Sequence, residues 1–417
     1  MFIPIIIDPC AFYEYRYLWE YLKYLYHCKD NHWPLIASYE FQLYKEKRPI
    51  SNAYNMDFME QHRYKLLTKE EEKEIDVYFF SRELFDKLRN NLGSELSTKL
   101  FLLENRYVPF ERELKRIIRL IKQKYKENIE GFITWNAHFK SVDYFAGKLR
   151  IPVITNEFSL RSPEYRPLSY FCLDSLYDSN EIKKMYERFE NNLMDFDYFT
   201  RDELLALFLK EDRLNEILNK KEEIYEMGVG GCHPLIATFF AKSKYTDLEL
   251  IQDVRNQYSE DDFIFRMHPG DEPYRATYTV KNIDNSEYAS DFIRKCKRIT
   301  AQGSNILLEA MLWGKKVYSH DVSPFTFLCE NNLEKKDTNP VNDIALNFLL
   351  LVYLVPFEKI CDVKYMRWRL QEKNLNNIYI KNLKFYLNSL NIPEAVVGLK
   401  KDRLKKILEL RGVNVYE

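Results

Sequence analysis

The chain of 417 residues has little glycine and almost no net charge. Only 11 residues are glycine, which excludes collagen-like, linker-like and glycine-rich repeat classes. Lys and Arg number 62 against 63 Asp and Glu, a formal net charge of −1, which argues against a general nucleic-acid binder. Apolar residues make up 46% of the chain, enough for a packed core. The length fits two or three domains.

Several common signatures are also absent from the sequence. The seven cysteines are scattered and form no CxxC pair, so they predict reduced thiols in a cytoplasmic protein rather than a zinc ribbon or a disulfide framework. No cluster has metal-ligand spacing, and we expect no metal and no cofactor. The GVGG run at 228–231 lacks the spacing of a dinucleotide fingerprint and is interpreted as a hinge or domain entry. The apolar run 345–357 is too short to span a bilayer.

Short apolar runs alternate with amphipathic segments in both halves of the chain. Strands are predicted at 2–7, 77–80, 131–135, 151–156, 263–267, 298–300 and 316–319. Helices are predicted at 18–27, 111–126, 141–149, 248–258, 286–296 and 305–313. Strands separated by helices indicate parallel sheets and an α/β fold. We expect a Rossmann-like domain over 1–220, a second over 221–345, a central cleft between them, and C-terminal helices over 346–417.

The segment FIFRMHPGD at 263–271 ends a predicted strand on His268 and Pro269. The carboxyl end of a parallel strand is where such sheets bind ligands, and an imidazole there can donate to a phosphate or carboxylate oxygen. The same pattern also fits an ordinary strand-end turn with a surface histidine. Spacing alone leaves the two interpretations equal.

A second turn, Gln302 to Asn305, joins a predicted strand to a predicted helix. Free N–H groups at a helix start attract anions, so Ser304 is predicted as the N-cap, a phosphate ligand, or both. Glu309 follows within the helix, where a carboxylate can accept hydrogen bonds from ribose hydroxyls. A capped helix with a solvated glutamate is the alternative.

Polar residues also follow two predicted strands of the first half. Glu157 comes directly after the run IPVITN and is a candidate general base for an acceptor hydroxyl, or else a capping or salt-bridged glutamate. Arg161 and Arg166 lie in the polar loop after it and are candidate ligands of an anionic sugar. Asn136 follows the strand 131–135 and is a further candidate for substrate binding.

In their order, these motifs resemble bacterial GT-B glycosyltransferases that use CMP-activated acidic sugars, the capsule and lipopolysaccharide Kdo transferases of the KpsC and WbbB type. The matching features are a strand ending in Glu157, the loop LRSPEYRP, the His268-Pro269 pair, and Ser304 followed by LLEAMLWGKKV. The resemblance spans about residues 131–321. It implies a GT-B fold, Glu157 as the catalytic acid/base, His268 and Ser304 on the CMP phosphate, and Glu309 on the ribose. Pro269 and Asn305, next to His268 and Ser304, are also predicted to bind the nucleotide sugar.

The resemblance implies a cytoplasmic enzyme, at the inner face of the inner membrane, that transfers Kdo from CMP-Kdo to a glycan or glycolipid. The WbbB-type enzymes also use an aspartate nucleophile upstream of the HP pair, whereas the stretch 228–240 contains no acid. Three alternatives follow: sialyl transfer from CMP-sialic acid, a UDP-sugar epimerase of related fold, and a non-catalytic scaffold.

The C-terminal end is basic. Residues 351–417 hold 13 Lys and Arg against 7 Asp and Glu. The stretch 399–410 is a basic amphipathic helix that could pack on the body of the protein or contact an anionic membrane. Its apolar positions favour packing on the body over membrane contact.

Overall fold

The computed structural model describes residues 1–7, 18–42, 64–135, 138–173, 179–191, 198–219, 222–232, 246–268, 278–319, 324–335, 337 and 339–415. The chain forms two compact units. The first comprises Met1–Glu157 and Phe171–Leu176, and the second comprises Phe158–Tyr170 and Tyr177–Glu417. The loop that carries Arg161 and Arg166 is therefore part of the second unit.

The first unit is built around parallel strands in the order β5-β4-β1-β2-β3. The strands are β1 (Phe2–Ile6), β2 (Leu35–Ala37), β3 (Val77–Phe79), β4 (Gly131–Trp135) and β5 (Val153–Phe158). The helices are α1 (Leu18–Asn31), α2 (Lys69–Lys73), α3 (Arg82–Leu92), α4 (Glu95–Glu104), α5 (Val108–Tyr125) and α6 (Lys140–Leu149). Every residue of β1 and β4 is buried, as expected for central strands of a parallel sheet covered on both faces. Helix α5 buries the apolar side chains whose spacing predicts the helix.

The second unit contains the four-stranded parallel sheet β10-β9-β7-β8. Its strands are β7 (Tyr225–Gly230), β8 (Phe263–Arg266), β9 (Cys296–Ala301) and β10 (Lys316–Tyr318). Strand β6 (Leu168–Cys172) pairs antiparallel with β11 (Leu354–Pro356) through Leu168–Tyr170. The helices are α7 (Ser179–Asn191), α8 (Arg201–Phe208), α9 (Asp247–Arg255), α10 (Ala289–Arg294), α11 (Ile306–Leu312), α12 (Asp343–Phe348), α13 (Val363–Gln371), α14 (Leu375–Ser389) and α15 (Arg403–Leu410). Parallel strands separated by helices in both units confirm the α/β class.

Two predictions about the second unit need correction. The GVGG run is not a hinge, because Gly230 closes strand β7 and pairs with β8 on one side and β9 on the other. Residues after 340 are not all helical. The apolar run 345–357 includes a π-helical turn (Leu349–Tyr353) and then β11, and it is buried throughout.

The basic C-terminal helix α15 packs on its own unit. Ile407 and Leu408 are buried, and the Arg403 guanidinium donates to a carboxylate oxygen of Glu203 in α8 at 2.7 Å. Packing on the body is thus confirmed. None of the helices in the described residues is both long and apolar enough to cross a membrane.

Candidate functional site

The candidate site lies at the carboxyl edge of the sheet in the second unit. Strands β7 and β9 are neighbours in the sheet. The chain continues from β7 to β8 on one side of this pair and from β9 to β10 on the other. Such a switch point leaves a crevice beyond the strand ends, where open parallel sheets bind ligands. His268 follows β8, and the turn with Ser304 follows β9.

His268 lies two residues beyond the end of β8, and that end is fixed by polar contacts. Arg266, the last residue of β8, donates to a carboxylate oxygen of the buried Asp284 at 2.5 Å and to the carbonyl of Ser286 at 2.9 Å. On the other side, the N–H of Gly231 donates to the carbonyl of Arg266 at 2.8 Å. A Cβ on Gly231 would lie 3.0 Å from the backbone nitrogen of His268, so this approach requires glycine.

The loop after β5 brings a guanidinium to His268. We call residues 159–166 the arm. Arg161 is exposed, and its Nη2 lies 3.2 Å from Nε2 of His268. Since a guanidinium can only donate, Nε2 accepts in this arrangement, which assigns the ring proton of a neutral imidazole to Nδ1. A cation and an imidazole side by side are suited to an anionic ligand.

Hydrogen bonds anchor the arm to helices α10 and α11 and to the residue that ends α11. They are Ser162 Oγ to Glu309 Oε1 (2.6 Å), the Ser290 N–H to Glu164 Oε1 (2.9 Å), and Trp313 Nε1 to the Tyr165 hydroxyl (2.7 Å). Glu164 and Tyr165 are almost fully buried. The arm is therefore built into the unit rather than lying loosely on it.

Glu309 is the most perturbed carboxyl group of the site. Its side chain on α11 is buried, and the desolvation raises its pKa to about 8; the nearby carboxylate of Glu164 adds to the rise. Ser162, Arg266 and Arg161 act in the opposite direction. Oε2 of Glu309 and Oε2 of Glu164 have no hydrogen-bond partner among the described residues. At neutral pH Glu309 is therefore mainly protonated.

The N-cap residue of α11 is not the predicted Ser304. Asn305, not Ser304, occupies the N-cap position, although Ser304 Oγ still accepts from the N–H of Ile306 at 3.4 Å. The Asn305 side chain donates to the carbonyl of Phe158 at 3.0 Å and accepts from the Tyr170 hydroxyl at 2.9 Å. Asn305 thus ties the turn to the segment 158–170, and the half-buried Ser304 is the residue of this turn suited to a ligand.

Arg166 is held away from His268 by other partners of the second unit. Arg166 donates to Glu211 at 2.9 Å, and Glu211 also accepts from Arg411 at 2.5 Å, so Arg166 links the arm to the C-terminal end of the chain. Glu157 is half-buried in β5 of the first unit. Asn136 and Pro269 lie outside the described residues. The described residues contain no group of three or more His, Cys, Asp or Glu placed to hold a metal ion.

Sequence reasoning missed the roles of Ser162 and Glu164. The only available signal was the density of polar residues in 157–166. Nothing in the sequence paired Ser162 with Glu309, which lies 147 residues later.

Two α/β units built on parallel sheets, with a basic and hydroxyl-bearing cluster at the carboxyl edge of the second sheet, are features of GT-B glycosyltransferases. Residues 6–181 match the family model described as the Glycosyltransferase 99 family N-terminal domain. This match confirms the resemblance to glycosyltransferases that the motifs indicated. It includes Glu157 and the arm and ends before His268.

Solved structures with some similarity include two of Thermosulfurimonas dismutans KpsC. Its β-Kdo 2,7 transferase is 12% identical with a TM-score of 0.39, over 77% of this chain and 97% of that one. Its β-Kdo 2,4 transferase is 12% identical with a TM-score of 0.38, over 60% and 87%. A UDP-GlcNAc 2-epimerase from Methanocaldococcus jannaschii is 12% identical with a TM-score of 0.32, over 84% and 98%. A comparison with curated proteins finds no match.

Proposed function

We propose that this glycosyltransferase transfers Kdo from CMP-Kdo to a bacterial surface glycan and binds the CMP phosphate through the adjacent side chains of Arg161 and His268. The observation that carries the proposal is the 3.2 Å contact between these two side chains at the carboxyl edge of the second sheet. The order of the motifs, from Glu157 to Ser304 and Glu309, supports a CMP-activated acidic sugar as the donor.

The leaving group of this reaction is CMP, a phosphate monoester on which negative charge develops as the glycosidic bond breaks. An oxygen of that phosphate would accept from the guanidinium of Arg161 and from Nε2 of His268 once that nitrogen carries the proton. The hydroxyl of Ser304 supplies a third donor. Charge-assisted donors fixed before reaction stabilise such a leaving group electrostatically, and the proposed transfer is therefore metal-independent.

Glu157 is the proposed general base, which takes the proton of the acceptor hydroxyl as it attacks the anomeric carbon. Arg166 is bound to Glu211, so Arg161 is the better candidate for contact with the anionic donor. Asn136 and Pro269 stay predictions from the sequence.

The acceptor is proposed to be a glycan or glycolipid at the inner face of the inner membrane. The lysines Lys400, Lys401, Lys405 and Lys406 are exposed next to and within α15. They leave a basic surface available to an anionic membrane while the apolar face of the helix stays packed on the unit.

The test is an assay of the purified chain with CMP-Kdo, CMP-sialic acid and UDP-GlcNAc, each with lipid-linked and soluble glycan acceptors. The proposal expects transfer from CMP-Kdo alone, and expects Glu157→Gln to bind CMP normally but to lose transfer. The exposed Glu83→Gln in α3 is the matched control and keeps transfer. Transfer from CMP-sialic acid would show that the donor sugar is sialic acid instead of Kdo. Failure to bind any nucleotide would favour the scaffold alternative.

A further inference from the structure

The arm presents one side chain to the site and buries or binds most of the others. Arg161 is exposed, whereas the side chains of Ser162, Glu164, Tyr165 and Arg166 bind to other parts of the unit or are buried. A guanidinium on a flexible loop would lose side-chain and backbone freedom on binding a phosphate, and that loss would weaken binding. A loop anchored on both sides of the arginine avoids most of this cost.

Ser162 is the anchor nearest to Arg161. Its hydroxyl donates to Oε1 of Glu309 at 2.6 Å, which fixes the backbone one residue away from the guanidinium. Glu309 lies on the short helix α11, whose preceding turn carries Ser304. The hydrogen bond therefore joins the arm to the element that presents the serine of the same site.

The surroundings of Glu309 explain why this carboxyl group can serve as a buried anchor. The charged groups that shift the pKa of Glu309 are Glu164 and Arg161 from the arm and Arg266 from β8. Glu309 in turn raises the pKa of the Tyr165 hydroxyl. Burial and the carboxylate of Glu164 keep its pKa high, so it is mainly neutral at pH 7 and its burial costs less than that of a charge.

We propose that Ser162 and Glu309 are positioning residues, whose hydrogen bond holds the arm so that Arg161 lies against His268 before the donor binds. The proposal rests on the proposed function for its ligand, CMP, and assigns to Glu309 a role through Ser162 and Arg161 instead of a direct contact with ribose. Neither residue needs to touch the phosphate.

A double-mutant cycle tests this role. Calorimetry gives the Kd for CMP of the wild type, Ser162→Ala, Arg161→Ala and the double variant. We expect Ser162→Ala to raise Kd about fivefold in the wild type, as for the loss of one hydrogen bond to a neutral carboxyl group, and to change it less than about twofold in Arg161→Ala. Equal effects in both backgrounds would mean that Ser162 acts independently of Arg161 and would overturn the proposal.

Two matched variants sharpen the result. Ser259→Ala removes another serine–carboxylate bond, from Ser259 to Asp262 at 2.7 Å, but near the amino end of β8, at the opposite edge of the sheet. It should leave the Kd for CMP unchanged. Glu309→Gln keeps an oxygen that can accept from Ser162 and should raise Kd less than Glu309→Ala. The same loss in both Glu309 variants would contradict the proposal.

A readout without nucleotide separates the proposal from the choice of donor. The His268 ring signal in a spectrum of the 15N-histidine-labelled protein is assigned by its loss in His268→Ala. Ser162→Ala and Arg161→Ala should shift this signal in the same direction, and the double variant should shift it no further than Arg161→Ala. An unmoved signal in Ser162→Ala would overturn the positioning role, whereas shifted signals in a protein that does not bind CMP would refute only the donor.

Discussion

The guanidinium of Arg161 lies 3.2 Å from the imidazole of His268, although 107 positions separate the two residues in the chain. The contact is made within the second unit, because the segment 158–170 belongs to that unit and not to the one that precedes it. A residue predicted to bind an anionic sugar and a residue predicted to bind a nucleotide phosphate are therefore neighbours.

Removal of the Arg161 guanidinium should weaken binding of CMP. A charge-assisted pair of this kind contributes about 1.5–3 kcal/mol, so Arg161→Ala should raise the Kd roughly 10- to 100-fold. The remaining affinity should also depend less on salt, since one cation facing the phosphate is gone. Calorimetry at 50 and 300 mM NaCl measures both effects.

The control for this variant is Arg255→Ala, which removes a guanidinium of the same unit that pairs with Glu260 at 2.5 Å. Its Kd and salt dependence should match those of the wild type. A similar loss in both arginine variants would show that the effect is one of overall charge, not of the Arg161 position.

The raised pKa of Glu309 should make stability depend on pH. Because the folded pKa is about 8 against an ordinary 4.5, the folded protein holds a proton that the unfolded chain has lost between these pH values. Stability should therefore fall as pH rises through this window, by up to about 1.4 kcal/mol per pH unit from this group. Glu309→Gln removes the contribution, so its urea midpoint should fall less than that of the wild type between pH 5 and pH 8. Parallel curves for the two proteins would show that Glu309 is not protonated in the folded state.

The ion pair between Arg403 and Glu203 should stabilise the attachment of the C-terminal helix. Both side chains are at most 5% exposed. Arg403→Met leaves the Glu203 carboxylate buried without its cationic partner, which should cost about 3–5 kcal/mol in unfolding free energy. The pair of the exposed Lys406 and the half-buried Glu409, at 3.7 Å, provides the control, since Lys406→Met should cost less than about 1 kcal/mol.

Thermal unfolding measures the two losses, and the double variant Arg403→Met with Glu203→Gln should recover part of the first. Equal melting temperatures of the Arg403→Met and Lys406→Met proteins would refute a stabilising role for the buried pair.

The close packing of β7 against α11 should make Gly230 intolerant of a side chain. A Cβ at this position would lie 2.7 Å from Cγ2 of Ile306 and 3.3 Å from the Cβ of Ala301. Gly230→Ala should therefore destabilise the protein by about 1–3 kcal/mol. Combination with Ile306→Ala should cost less than the sum of the single variants, because the clash is then absent. At Gly398 a Cβ would meet no atom within 4 Å, so Gly398→Ala should have the same unfolding free energy as the wild type.

Local pattern was enough to predict most strands of the two parallel sheets. The β4 sequence GFITW has the predicted bounds, and α5 begins and ends within a few residues of its prediction. Apolar periodicity and strand–helix alternation are local properties, so a single sequence contains them. The pair of β6 and β11 was missed because its partners lie more than 180 residues apart and β11 is only three residues long.

The contacts of the arm could not be predicted for the same reason. A polar loop between strands gives no sign of which helix will bind each side chain. The hydrogen bonds of Ser162 with Glu309 and of Tyr165 with Trp313 form only once α11 is packed against the arm. Asn305 shows the opposite case: it is predicted to bind the nucleotide sugar, but its amide binds the backbone of Phe158 and the hydroxyl of Tyr170.

Calorimetric titration of the wild type and His268→Ala with CMP and with UMP decides whether the nucleotide phosphate binds at His268. We expect the wild type to bind CMP more tightly than UMP, and we expect His268→Ala to lose at least about tenfold in affinity for CMP, as for one hydrogen bond to a charged phosphate. Equal binding of CMP by the wild type and His268→Ala would contradict this expectation, because the phosphate would then lie elsewhere.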